Sequence, residues 1–139
     1  MAARLPTVNG DDGNWGTILN EFLEVEHDDD GKHDALLYST QTLTDGASID
    51  WDLSAGAMAT VTLAGNRALA NPTNLVNGAT YLLIIKQDDT GSRTLSFGSA
   101  YKFADGTAPT LSTAANAVDI IAFLCDGTNL YGSFQNNFS

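Results

Sequence analysis

Asp50 and Asp52 are the pair of side chains in this sequence best placed for acid–base work. On an extended strand they would point to one face roughly 7 Å apart, a separation that suits an inverting glycosidase. Such chemistry also needs one carboxyl kept protonated by a concave, partly desolvated setting. Alternating Asp on a wet strand face supplies no such setting, so the pair reads as surface. Both histidines, His27 and His33, lie among four aspartates between Glu26 and Asp34. Imidazole and carboxylate both bind metals, but this spacing fits neither an EF-hand loop nor a zinc site, and the stretch reads as a solvated, charged linker. Downstream of it there is no histidine, so a Ser-His-Asp triad cannot be assembled there. No Gly-rich stretch between a strand and a helix is available to cradle a phosphate. Cys125 is the one cysteine, sits in an apolar run, and reads as a small buried hydrophobe. The sequence therefore predicts no catalytic residue, no metal, no cofactor and no enzyme activity.

Charge narrows the partners. Seventeen Asp and Glu against six Lys and Arg give a net charge of −11, which repels nucleic acid and anionic lipid alike. No signal-peptide pattern or membrane-length apolar run is present, so neither a nucleic-acid nor a membrane partner is expected, and a soluble compartment is. A length of 139 residues leaves room for one ordinary domain with an appendage.

From Leu43 onward the apolar runs are short and end at Gly, Asn, Asp or Pro, the rhythm of an all-β domain of seven or eight strands. The fold class expected is mainly β, an antiparallel, jelly-roll-like β-sandwich over residues 39–139. Ser48 to Leu53 reads as a strand with Ile49, Trp51 and Leu53 on its core face, and Ala59 to Leu63 and Gly65 to Ala70 follow. The segment Thr80 to Phe97 reads as a central hairpin turning at Asp88–Ser92. Tyr101 and Phe103 mark a further strand and Leu111 the start of another. Ala117 to Phe134 reads as a second hairpin, turning at Asp126-Gly127.

Two strands are apolar on both faces, which a strand with one wet face would not be. Leu82 and Ile84 in the first and Ile121 and Phe123 in the second are the candidates for a subunit interface. Asp119 interrupts the second run. A carboxylate among apolar neighbours needs a partner, and Arg67 or Arg93, the domain's two arginines, is expected to provide it.

Residues 1–38 differ in pattern. Met1 to Gly13 reads as an extended arm. Trp15, Ile18, Leu19, Phe22 and Leu23 then recur at helical spacing, with Asn14 as N-cap, describing a short amphipathic helix. Alone it would be marginal, so its apolar stripe needs a surface. The domain itself, other copies of the chain or a different protein could each provide it.

Two blocks resemble a known family. Leu5-Pro6 with Gly10 to Leu23 resembles N-terminal segments of tailed-bacteriophage tail-fibre and head-fibre proteins. Leu63 to Arg67, Gly78 to Tyr81, Gly91 to Leu95 and Asp126 to Gly132 are similar to a β module of phage virion proteins. The resemblance implies a virion structural protein, either a short fibre or a capsid decoration, because no shaft sequence separates the blocks. It further implies docking through Trp15, Ile18, Leu19, Phe22 and Leu23 to another virion protein of capsid, neck or tail, and a homotrimer. The alternative reading is a carbohydrate-binding module for host attachment. Tyr101, Asn129 and Tyr131 are its candidate contacts with a host surface glycan, since aromatics beside Asn at loop ends suit a sugar.

Overall fold

Alternation decides which side of each strand faces inward, and the computed structural model, which describes residues 39–138, shows the result. Nine strands occur among the described residues: β1 (Thr40–Thr42), β2 (Ser48–Ile49), β3 (Met58–Leu63), β4 (Arg67–Leu69), β5 (Thr80–Gln87), β6 (Leu95–Phe97), β7 (Tyr101–Phe103), β8 (Val118–Cys125) and β9 (Leu130–Phe138). They form a six-stranded sheet, β1-β3-β5-β8-β9-β7, and a three-stranded sheet, β2-β4-β6. Ile49, Leu69 and Leu95 from the small sheet and Val61, Leu83, Ile85, Ile121 and Phe123 from the large one share a single buried cluster. The mainly-β class is as expected.

The direction of pairing corrects the antiparallel expectation. From β1 to β6 the chain crosses to the other sheet after every strand, so successive strands within each sheet run the same way, as in a β-solenoid. β1 with β3, β3 with β5, β2 with β4, β4 with β6 and β7 with β9 are parallel. Only β5 with β8 and β8 with β9 are antiparallel. The large sheet is therefore mixed.

The same winding overturns the central hairpin. The turn at Asp88 forms, with the Asp88 carboxylate accepting from the amides of Thr90 and Gly91, and Gly91 takes φ 74°. The returning strand does not pair with β5, whose two edges are occupied by β3 and β8, and β6 joins β4 instead. In place of a strand, the buried Gln87 carboxamide closes the exit. It accepts from the Arg93 amide at 2.8 Å and donates to the Arg93 carbonyl at 2.9 Å, copying one rung of a ladder.

Three smaller expectations also change. The strand expected over Ser48 to Leu53 is reduced to Ser48–Ile49 and a single parallel bridge between Asp52 and Thr73, and Asp52 caps a 3-10 turn at Leu53–Ala55 by accepting from the Ser54 amide. Leu111 starts no strand, although its side chain is buried. Asp119 is buried but meets no arginine, since Arg67 pairs with Asp45 at 2.7 Å and Arg93 with Asp88 at 2.8 Å. Its oxygens accept instead from the Ser112 amide and hydroxyl, both at 2.7 Å, and the Asn137 amide at 2.9 Å.

Candidate functional site

Strand register defines the outward face of the large sheet, row by row. Met58, Leu82, Ala122 and Ser133 form one row, and Thr60, Ile84, Ile120 and Gln135 the next. Thr62, Lys86, Val118 and Phe138 lie beyond the second row, and Thr80, Leu124, Tyr131 and Lys102 beyond the first. The middle of the face, on β5 and β8, is apolar. Its border on β1 and β3 is largely threonine, the composition of an ordinary wet sheet face.

Of the four candidate interface residues, the structure places Leu82 and Ile84 on this face. Ile121 and Phe123 are corrected to the inner core, at 0 % and 1 % exposure. Leu83 pairs with Ile121 and Tyr81 with Phe123, and residues directly opposite share a face, so both must turn inward with their partners. Ile120, Ala122 and Leu124 take the outward positions instead. The parity of β8 relative to β5 was the missing signal, and only pairing supplies it.

The candidate glycan contacts are separated by the fold. Tyr101 is buried, packs against Phe97 and Phe123, and donates its hydroxyl to the Ala70 carbonyl at 3.0 Å. Burial pushes its phenol well above the ordinary range. It lines a shallow groove of about 350 Å³ with Phe97, Phe103 and Lys102, but its polar tip is committed elsewhere. Tyr131 stays half-exposed. Gly132, next along β9, leaves room for Phe103 and Phe123, since a Cβ there would lie 2.6 Å and 2.8 Å from their rings.

Tyr131 and Asn129 meet at the β8–β9 turn. One Asp126 carboxylate oxygen accepts from the amides of Thr128 and Asn129 at 2.8 Å and 2.6 Å, and the other accepts the Tyr131 hydroxyl at 2.9 Å. The Asn129 and Thr128 amides, with the Tyr131 hydroxyl, hold Asp126 down at about 2, against an ordinary 3.8. A depressed carboxyl contributes stability above its unfolded pKa and loses it as pH falls towards the folded value. Tyr131→Phe should therefore raise the Asp126 pKa towards 3.8 and lower stability slightly at neutral pH, with the difference vanishing below about pH 2. An NMR titration of the Asp126 carboxyl carbon measures this. An unchanged midpoint would show that the hydroxyl plays no part.

Asp50 and Asp52 do not form a site. Asp52 is held below the ordinary carboxylate range by the Asn74 side chain, then by Ser54. Both line an open groove of about 360 Å³ with Gln41, Leu43 and Ser48. A general acid needs a raised carboxyl, the opposite of the shift at Asp52. Among the described residues no group of three or more His, Cys, Asp or Glu side chains stands where it could hold a metal ion, and no helix is long and apolar enough to cross a membrane. Trp15, Ile18, Leu19, Phe22, Leu23 and the stretch Glu26 to Asp34 lie outside the described residues.

The model of the family described as "Putative phage tail fibre C-terminal domain" matches residues 52–130. That is more than half of the chain. The chain belongs to this family. The matched span of the tail-fibre domain begins at the Asp52 cap and ends where β9 starts, taking in β3 to β8 and with them the apolar middle of the outward face. A tail-fibre domain is part of a virion, which places the chain there. No curated protein and no solved structure matches the chain.

Proposed function

We propose that this tail-fibre protein is a non-enzymatic structural element, a short homotrimeric fibre or decoration that docks to another virion protein through residues 1–38 and displays its β domain outward. The family match over residues 52–130 carries the reading. It is supported by the apolar stripe of Trp15, Ile18, Leu19, Phe22 and Leu23, which a docking helix would bury. The test is co-sedimentation of the full chain with particles lacking the native protein. Trp15→Ala with Phe22→Ala should reduce occupancy at least tenfold, since truncating large aromatic anchors typically costs on the order of 2 kcal/mol or more. Glu21→Ala, on the polar side of the stripe, should bind like the wild type. Full occupancy by the double variant would mean that attachment runs through the β domain.

A second reading keeps a glycan contact at the fibre surface. Tyr131, half-exposed and fixed by Asp126, favours it, with Asn129 in the same turn. Tyr101 no longer contributes. Glycan-array binding that Tyr131→Ala abolishes would support this reading, and an array with no bound glycan would remove it.

A further inference from the structure

The outward face of the large sheet departs from the rest of the surface in two independent ways. Five large hydrophobic side chains are left exposed among the described residues, and four of them, Leu82, Leu124, Tyr131 and Phe138, belong to this face. Ile84 and Ile120 lie opposite each other between them, and both are half-buried. An apolar patch that spans adjacent strands marks an interaction surface, whereas scattered single residues would not.

The second departure is electrostatic. The chain carries −11, yet no row of this face contains a carboxylate, because Asp119, the one acid on β8, turns inward. The charges on its rows are Lys86 and Lys102, and the nearest acid, Asp126, stands at the β8–β9 turn, tied to the Tyr131 hydroxyl. Identical copies of so acidic a chain repel one another over most approaches, and this face is one on which they can meet without opposing acids.

We infer that this face is a homotypic interface: the β5–β8 surfaces of three copies turn towards one another around the threefold axis of the trimer. The inference rests on the self-associating fibre proposed above and assigns the surface through which it assembles. Such packing buries the apolar middle of each copy near the axis and leaves Lys86 and the threonine border at the rim. Leu82 and Ile84, with Ile120 and Leu124, make the contact.

The test is analytical ultracentrifugation of the full chain at micromolar concentration, with Leu124→Asp, Ile120→Asp and Thr62→Asp as variants. The wild type should sediment as an oligomer. Leu124→Asp and Ile120→Asp should raise the half-assembly concentration by at least about tenfold, and Thr62→Asp, at the border, should change it far less. Leu124 is 57 % exposed in the single chain, so an acid there leaves the protomer folded, which circular dichroism verifies. Should Ile120→Asp unfold, Leu124→Asp decides. A folded Leu124→Asp with wild-type mass would overturn the assigned face while self-association stands, and a monomeric wild type would overturn both.

Discussion

Trp51→Ala should lower the unfolding free energy by about 3–5 kcal/mol, the range for emptying a large aromatic site in a packed core. The ring is 1 % exposed and contacts Tyr81 and Phe123 edge-on, with centroids 6.3 Å and 5.9 Å away. Phe123 in turn meets Tyr101 at 5.5 Å, and Tyr101 meets Phe97 at 5.7 Å, so the aromatic contacts run from the segment after β2 through β8 to β6 and β7. Removing the first ring leaves a cavity that the two sheets can close only by moving together, and both are fixed by their ladders. Trp51→Phe should cost no more than about half as much, because the indole Nε1 has no hydrogen-bond partner among the described residues and none is lost with it. Urea unfolding of the three proteins measures this. A loss below about 1 kcal/mol for the alanine variant would show that the site collapses freely and that Trp51 does not hold the sheets apart.

Asp119→Ala should destabilise the domain by about 2–4 kcal/mol, because it removes the shared acceptor of two backbone amides and a hydroxyl. The Ser112 and Asn137 amides, both part-buried, would be left without an acceptor, and each such orphan costs at most about 1–3 kcal/mol. The carboxylate sits at the register shift between Val118 and Ile120, where β8 and β9 fall out of step. By holding Ser112 on one side and Asn137 on the other, it replaces the ladder bonds that the irregularity forgoes. Asp119→Asn, which keeps the shape and one carbonyl oxygen, should fall between wild type and alanine. Hydrogen exchange locates the effect. The Ser112 and Asn137 amides should lose protection first, and a uniform loss across the sheet would point to general unfolding instead of a local clamp.

Short-range signals in the sequence marked where most strands lie. The alternation in Ala59 to Leu63 and the β-branched and aromatic run in Thr80 to Ile85 put the strands β3 and β5 in place, and the phase of Trp51 with Ile49 and Leu53 placed it in the core. Asp126-Gly127 likewise located the β8–β9 turn, where Gly127 takes φ 89°. The strand β1 leaves no such signal, since Thr40–Thr42 buries too little to make a pattern. Residues Asp88 to Ser92 specify a turn but not a hairpin, because a turn fixes only a change of direction. Which strand lies beside which depends on edges. The two edges of β5 were already occupied, so β6 had to pair elsewhere.

The same limit applies to the candidate site. Hydropathy showed that both faces of β5 and β8 are apolar, but not which residues of β8 share a face with Leu82 and Ile84. That follows from register, and register put Ile120 and Ala122 outward and Ile121 and Phe123 inward. For Asp119, charge suggested an arginine, whereas the fold supplied a serine side chain and two backbone amides. Backbone donors are present at nearly every position of any sequence. Only the folded chain determines which of them reach a buried carboxylate.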